Sequence, residues 1–330
     1  MKKIRWGILS TAKIGLEKVI PAMQAGKNCE ITAIASRNPE FARAAAEQLN
    51  IEKAFGSYEE LLSDPAIDAV YIPLPNHLHV PWTLKALKAG KHVLCEKPIA
   101  LSAAEAQQLL DATRQYPHLK VMEAFMYRFH PQWLFVKKLV DDGTIGSVRA
   151  IQAFFSYYNT DSNNIRNKKE LGGGSLMDIG CYCISQSRFI LGKEPVSVLG
   201  NIEYDPQMEI DFLASAIMDF GICKSVFTCS TQLTPSQSFR IYGTEGIIEI
   251  EIPVNIPPNE KSRIWLQRNH NKEEILFEPY NQYTLQAEIF SKAILDYTNV
   301  PTPLEDGVNN MKVIEAIKKS NETGQSVKII

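Results

Sequence analysis

Few cysteines, no excess of either charge and no long apolar run are the first things this chain shows. Its six cysteines (Cys29, Cys95, Cys181, Cys183, Cys223 and Cys229) are scattered over 330 residues. That spacing excludes a disulfide scaffold and points to a reduced, cytoplasmic setting. Lys and Arg total 35 against 37 Asp and Glu, a net charge of -2. Such a balance provides no basic footprint for nucleic acid or an anionic membrane surface. No stretch approaches the run of about 18 apolar residues that a membrane helix needs. Residues 1–7 pass into a strand without an apolar signal core, so neither a membrane span nor a signal peptide is expected. Cys181-x-Cys183 and His77-x-His79 lack partners at ligand spacing, and no metal site is expected. Repeats and low-complexity segments are missing too. What remains is ordinary globular composition, with 45% hydrophobic and 22% charged residues, over a length that suits two domains.

The first third alternates strand and helix patterns. Strands are expected at 4–9, 30–36, 68–73, 92–95 and 120–123, with helices at 14–25, 39–49 and 81–89 and another opening at the capping box of Ser102 and Glu105. This βαβα rhythm predicts a parallel, doubly wound α/β sheet over residues 1–123. After a helix at 131–140 the pattern changes. A long β-type run at 147–158, a glycine-rich loop with a helix over 172–191, strands from 196 to about 277 and two closing helices predict an α+β domain over 124–330.

In a doubly wound sheet, ligands bind at the carboxyl ends of the strands. Four segments hold that address. After the first strand comes Ser10-Thr11-Ala12-Lys13-Ile14-Gly15. Here Ser10 and Ala12 take the first two places of the dinucleotide fingerprint G-x-G-x-x-G, and only Gly15 fills the third. The amides of Thr11 to Ile14 can still face a phosphate at the helix start. After the second strand comes Ser36-Arg37 in place of the acidic residue that binds the ribose hydroxyls of NAD. Arginine pairs with a 2′-phosphate, so NADP is the preferred cofactor and NAD an allowed one. After the third predicted strand, Leu74, Pro75, Asn76 and His79 occupy the edge that nicotinamide would reach. Glu96-Lys97-Pro98 then follows the strand at 92–95, with Pro98 keeping Lys97 extended. A lysine there can hold a substrate oxygen and shift a neighbour's pKa.

Further on, Gly172-Gly173-Gly174 precedes a helical pattern that carries Asp178 and Tyr182 four residues apart, on one face. Oxidation of an alcohol needs a base for its proton. A tyrosine is a poor base at neutral pH unless a nearby ammonium lowers its pKa. Asp178 can orient the tyrosine or the substrate, or can simply favour the helix N-terminus, with Tyr182 in the core.

These motifs, together with Gly7 to Ala12 and Glu123-Ala124-Phe125-Met126-Tyr127-Arg128-Phe129-His130-Pro131, stand in an order and spacing that resembles the Gfo/Idh/MocA oxidoreductases. The similarity is to the branch of dimeric dihydrodiol dehydrogenase, NADP-dependent D-xylose dehydrogenase and glucose–fructose oxidoreductase. The resemblance implies an N-terminal Rossmann domain and a C-terminal domain whose large, mostly antiparallel open sheet forms a homodimer interface. It implies hydride transfer between NADP(H) and a CH–OH carbon of a sugar, polyol or cyclic diol. Dihydrodiol oxidation, keto-sugar or dicarbonyl reduction, and a non-catalytic cofactor-binding sensor are the alternatives. By resemblance Lys97, Tyr182 and Asp178 are catalytic, and Glu96 and Arg166 join the cofactor set. Phe125, Arg128, His130 and Tyr283 line the substrate pocket alongside the catalytic three. The family's Lys-Pro peptide is often cis.

Overall fold

A computed structural model describes residues 2–269 and 271–329. Two compact units emerge: the chain up to Met126 together with Asn281–Val308, and Tyr127–Tyr280 together with the chain from Asn309 onward.

The first unit is built on six strands: β1 (Ile4–Leu9), β2 (Cys29–Ala35), β3 (Lys53–Phe55), β4 (Ala69–Ile72), β5 (His92–Cys95) and β6 (Val121–Glu123). Their order is β3-β2-β1-β4-β5-β6 and every pairing is parallel. The chain winds outward in both directions from β1 and β4, so the strand order reverses there, which is where doubly wound sheets hold ligands. A parallel sheet is covered on both faces, and its strands therefore read as nearly continuous apolar runs. In β1, Ile4, Trp6, Ile8 and Leu9 are all buried. Side-chain caps start the helices where the sequence places them. Asn38 accepts from the Glu40 amide at 2.9 Å, and Ser102 accepts from the Glu105 amide at 3.0 Å.

Three local features depart from expectation. Strand β3 has no predicted counterpart, because three half-exposed residues at a sheet edge carry no alternation to read. The helix predicted from Pro81 begins at His79, continuing a short turn at Asn76–Leu78. Gln282–Leu295 joins the first unit rather than the second. There Trp6 Nε1 donates to Ser291 Oγ at 3.1 Å, and the Trp6 and Phe290 rings lie 5.6 Å apart. Helical periodicity reveals that a face is buried, but not against which sheet.

The second unit holds β7 (Val148–Tyr158), β8 (Ser197–Tyr204), β9 (Asp211–Asp219), β10 (Lys224–Ser230), β11 (Gln232–Gly243), β12 (Ile247–Ile250), β13 (Ser262–Arg268), β14 (Asn271–Phe277) and β15 (Val327–Lys328). Their order is β14-β13-β12-β11-β7-β10-β9-β8-β15, antiparallel throughout except for the parallel pair β7 and β10. The helix Cys181–Leu191 contacts β7 and β10 and is buried along most of its length. Among the described residues no helix is long and apolar enough to cross a membrane.

Candidate active site

At the carboxyl end of β1 the chain turns through Ser10 with φ at 142°, a conformation that favours glycine and strains a serine. The Ser10 hydroxyl accepts from the Ala12 amide at 2.9 Å and so closes the turn itself. A serine therefore does locally what the first fingerprint glycine does by conformational freedom. Thr11, Ala12 and Ile14 stay partly exposed around this turn. A Cβ placed on Gly15 would meet nothing nearer than Pro73 at 3.7 Å. The protein's own packing does not demand glycine there, as expected if that space serves a ligand. The small, partly exposed residues of this turn leave room for a dinucleotide.

One strand over, Ser36 is buried, its hydroxyl accepts from the Asn38 amide at 3.3 Å, and Arg37 is exposed beside it. The structure adds a residue that sequence reading missed. Burial raises the Tyr58 phenol, and the nearby Arg37 charge and Ser10 hydroxyl offset only part of that rise. Tyr58 opens the helix Tyr58–Ser63 after β3, which explains why it escaped notice, since that strand was itself unseen. Ser10, Arg37 and Tyr58 thus form one cluster at the ends of adjacent strands.

Past β4, Leu74 is buried and Pro75, Asn76 and His77 are half-buried. His79 is fully buried, with Nδ1 2.7 Å from the Pro98 carbonyl and Nε2 2.7 Å from that of Leu74. Both nitrogens face backbone carbonyls, one of which takes the single N–H of the neutral ring, so the ring does not face a cofactor and its expected direct contact is corrected. Burial pushes it down to about 4, against the two carbonyls, and the Lys97 and His77 charges act in the same direction as burial.

Lys97 leaves the sheet just after β5, half-buried, and its peptide to Pro98 is cis. The next amide, that of Ile99, donates to Glu123 Oε1 at 2.7 Å. Glu96 accepts from the Tyr71 hydroxyl at 2.5 Å. Tyr283, predicted for the substrate pocket, belongs to this unit; burial raises its phenol and the Glu96 charge raises it further. Phe125 is also in this unit and is 1% exposed.

In the second unit the helix carrying Asp178 and Tyr182 begins as a wide turn, Leu176–Gly180, and tightens into Cys181–Leu191. Wide turns of this kind recur at functional sites. The Asp178 carboxylate accepts from the Tyr157 hydroxyl at 2.6 Å and from Arg166 Nε at 3.0 Å. Arg166, expected in the cofactor set, here forms an ion pair with Asp178. Tyr157 is a second residue missed from sequence, one position among alternating residues of β7. Burial and the adjacent Asp178 charge both raise its phenol. Tyr182 is buried, its ring 6.1 Å from that of Tyr127 and 6.0 Å from that of Phe155.

Arg128 is 8% exposed and donates to Ser185 Oγ at 2.7 Å, with its guanidinium 5.6 Å from the centre of the Phe189 ring. That placement makes it a brace for the Tyr182 helix rather than an open substrate contact. His130 is fully buried, and its Nδ1 accepts from the Gln132 amide at 3.3 Å, capping the helix Pro131–Asp141. Burial pushes the His130 ring down to about 4, so it serves as a neutral cap.

The start of the Tyr182 helix is fixed by a residue 36 positions from Ser175 in sequence. Asp211 Oδ2 accepts from Ser175 Oγ at 2.8 Å and from the Leu176 amide at 2.6 Å. Gly174 has φ at 112°, and a Cβ there would lie 2.0 Å from Asp211 Oδ1. The glycine is required by close approach as well as by conformation.

Residues 4–125 match the family model described as the oxidoreductase family with an NAD-binding Rossmann fold, and residues 133–249 match the GFO/IDH/MocA C-terminal domain. An uncharacterized oxidoreductase of Rhizobium meliloti is 43% identical over 98% of each chain. A D-xylose 1-dehydrogenase (NADP(+)) of Haloferax volcanii is 37% identical over 98% of this chain and 99% of its own. Among solved structures, a 3-ketoreductase from Actinomadura kijaniata in complex with NADP and TDP-benzene superimposes with a TM-score of 0.91 at 28% identity, covering 97% of this chain and 98% of that one.

Proposed function

We propose, for a chain that belongs to the GFO/IDH/MocA oxidoreductase family, NADP(H)-dependent hydride transfer to or from a CH–OH carbon of a sugar, polyol or cyclic diol. The observation that carries this reading is Lys97, a half-buried cation past the carboxyl end of β5, with the chain anchored before it where the Glu96 amide donates to the Ile72 carbonyl and after it at Pro98 and Ile99. The name of the Haloferax relative and the NADP in the solved reductase support the cofactor and the substrate class. When bound, the nicotinamide supplies or accepts the hydride. Lys97 holds the substrate oxygen by a charge-assisted hydrogen bond that strengthens as negative charge builds on it. Tyr182 exchanges the hydroxyl proton. Asp178, pinned by Tyr157 and Arg166, orients the reacting groups. Thr11 to Gly15 hold the pyrophosphate, Ser36 and Arg37 the 2′-phosphate, and Leu74 to Asn76 with Glu96 the nicotinamide end.

The test is a screen of aldoses, inositols, dihydrodiols and dicarbonyls followed by NADPH absorbance. Turnover of at least one polyhydroxylated class is the expected result. Saturable NADPH binding with no turnover of any class would favour a cofactor sensor instead. In the same assay Arg37→Ala raises the KM for NADPH by about tenfold or more, the worth of a charged hydrogen bond, and leaves that for NADH within about twofold. Equal losses with both would remove the 2′-phosphate from the reading.

A homodimer through the open face of the second sheet, in a cytoplasmic setting, completes the proposal. Leu199, Ile217 and Val226 pair side by side across β8, β9 and β10 and are 43%, 45% and 38% exposed. A contiguous apolar row of this kind favours a covering partner. Sedimentation giving a monomer at micromolar concentration would overturn that part.

A further inference from the structure

We propose that His79 is a positioning residue for Lys97, holding the segment after the lysine in register with the Leu74–Asn76 turn. This rests on the reading of Lys97 as the catalytic cation. The ring is wholly buried at the start of the helix His79–Lys88, and its two nitrogens reach carbonyls from separate loops. Nδ1 stands 2.7 Å from the oxygen of Pro98, the residue directly after Lys97, and Nε2 stands 2.7 Å from the oxygen of Leu74. A neutral imidazole carries one N–H and so donates to one of these two carbonyls, here assigned as Nδ1–H to the Pro98 oxygen. The lysine's main chain is thereby held at Pro98 by His79 and at Ile99 by Glu123. Displacement of a catalytic group by about 1 Å can lower the rate about 10²-fold. A ring that never touches ligand can therefore govern turnover.

Two substitutions separate the two arms. His79→Asn places its amide near the Nδ1 position and can still donate to Pro98. His79→Gln reaches the Nε2 position and keeps only Leu74. The expected result is a kcat within about threefold of wild type for the Asn variant and about 10²-fold lower for the Gln variant, with the KM for NADPH little changed in both. Hydrogen exchange measured on the peptide covering residues 97–101 gives a readout independent of any substrate: protection falls in His79→Gln and persists in His79→Asn. Comparable kcat in the two variants, or unchanged exchange in His79→Gln with its melting temperature retained, would overturn the assignment. Loss of protection in His79→Gln from a protein that turns over no sugar or diol would instead leave His79 in place and remove the reaction proposed for Lys97.

Discussion

Lys97→Ala lowers kcat by about 10³-fold or more while NADPH binds within about threefold of wild type. The asymmetry follows from where the side chain begins and what holds its backbone. Lys97 sits two residues past the end of β5, the chain just after it is anchored at the Pro98 carbonyl and the Ile99 amide, and neither anchor uses the lysine side chain. Truncation therefore leaves the loop, the sheet and the cofactor-facing turn at Ser10 intact. What disappears is one ammonium at the strand's carboxyl edge. In the ground state an ammonium on a neutral hydroxyl contributes little, whereas on an oxygen gaining negative charge it contributes far more. The loss should fall on kcat, with the KM for the sugar moving less. Lys97→Arg tests geometry against charge. Guanidinium keeps the cation but cannot change protonation state and places its donors further out, so it should restore little. A Lys97→Ala enzyme with wild-type kcat would eliminate the lysine from the chemistry and with it the core of the proposed mechanism.

The parts legible in sequence were those encoded locally. Strand β1, the capped helices at Pro39–Leu49 and Ala103–Thr113, and the glycine-rich approach to Asp178 each carry their signal within a few residues. Lys97, Asp178 and Tyr182 stood out because unusual neighbours, Pro98 and the triple glycine, announce them. The partners of those residues did not stand out. Tyr157 is one more aromatic on an alternating strand, and only the fold places its hydroxyl on Asp178. Tyr58 follows a three-residue edge strand too short to read. Arg128 and His130 sit in a family motif and were read as pocket residues, yet one braces Ser185 and the other caps a helix. Motif membership revealed that these side chains matter, while burial decided how. Asp211 is the sharpest instance. An aspartate opening a strand has no local mark of a helix cap, and its role exists only through a contact that spans 35 residues in sequence to Leu176.

That contact yields the second large effect: Gly174→Ala lowers the melting temperature by about 5 °C or more and kcat by about 10²-fold. Two penalties combine. At φ of 112° an alanine is strained, worth about 1–3 kcal/mol. Its Cβ would stand 2.0 Å from Asp211 Oδ1 and must displace that carboxylate. The carboxylate cannot swing away cheaply, because Oδ2 accepts from both Ser175 Oγ and the Leu176 amide, and Asp211 is 5% exposed. Breaking those bonds in a buried setting adds about 1–3 kcal/mol. The activity loss arises because Gly174 is wired to the site. Its amide donates to the Arg166 carbonyl at 2.9 Å, and its carbonyl accepts from the Asp178 amide at 3.0 Å. Any shift at Gly174 moves the turn that aims Asp178 and, one turn later, Tyr182. A double-mutant cycle with Asp211→Ala separates the two causes. With the carboxylate gone, Gly174→Ala should show only the conformational part, so the two losses sum to more than the double variant displays. Strict additivity would mean that the aspartate does not oppose the methyl, and wild-type kcat in Gly174→Ala would mean that this turn does not position Tyr182.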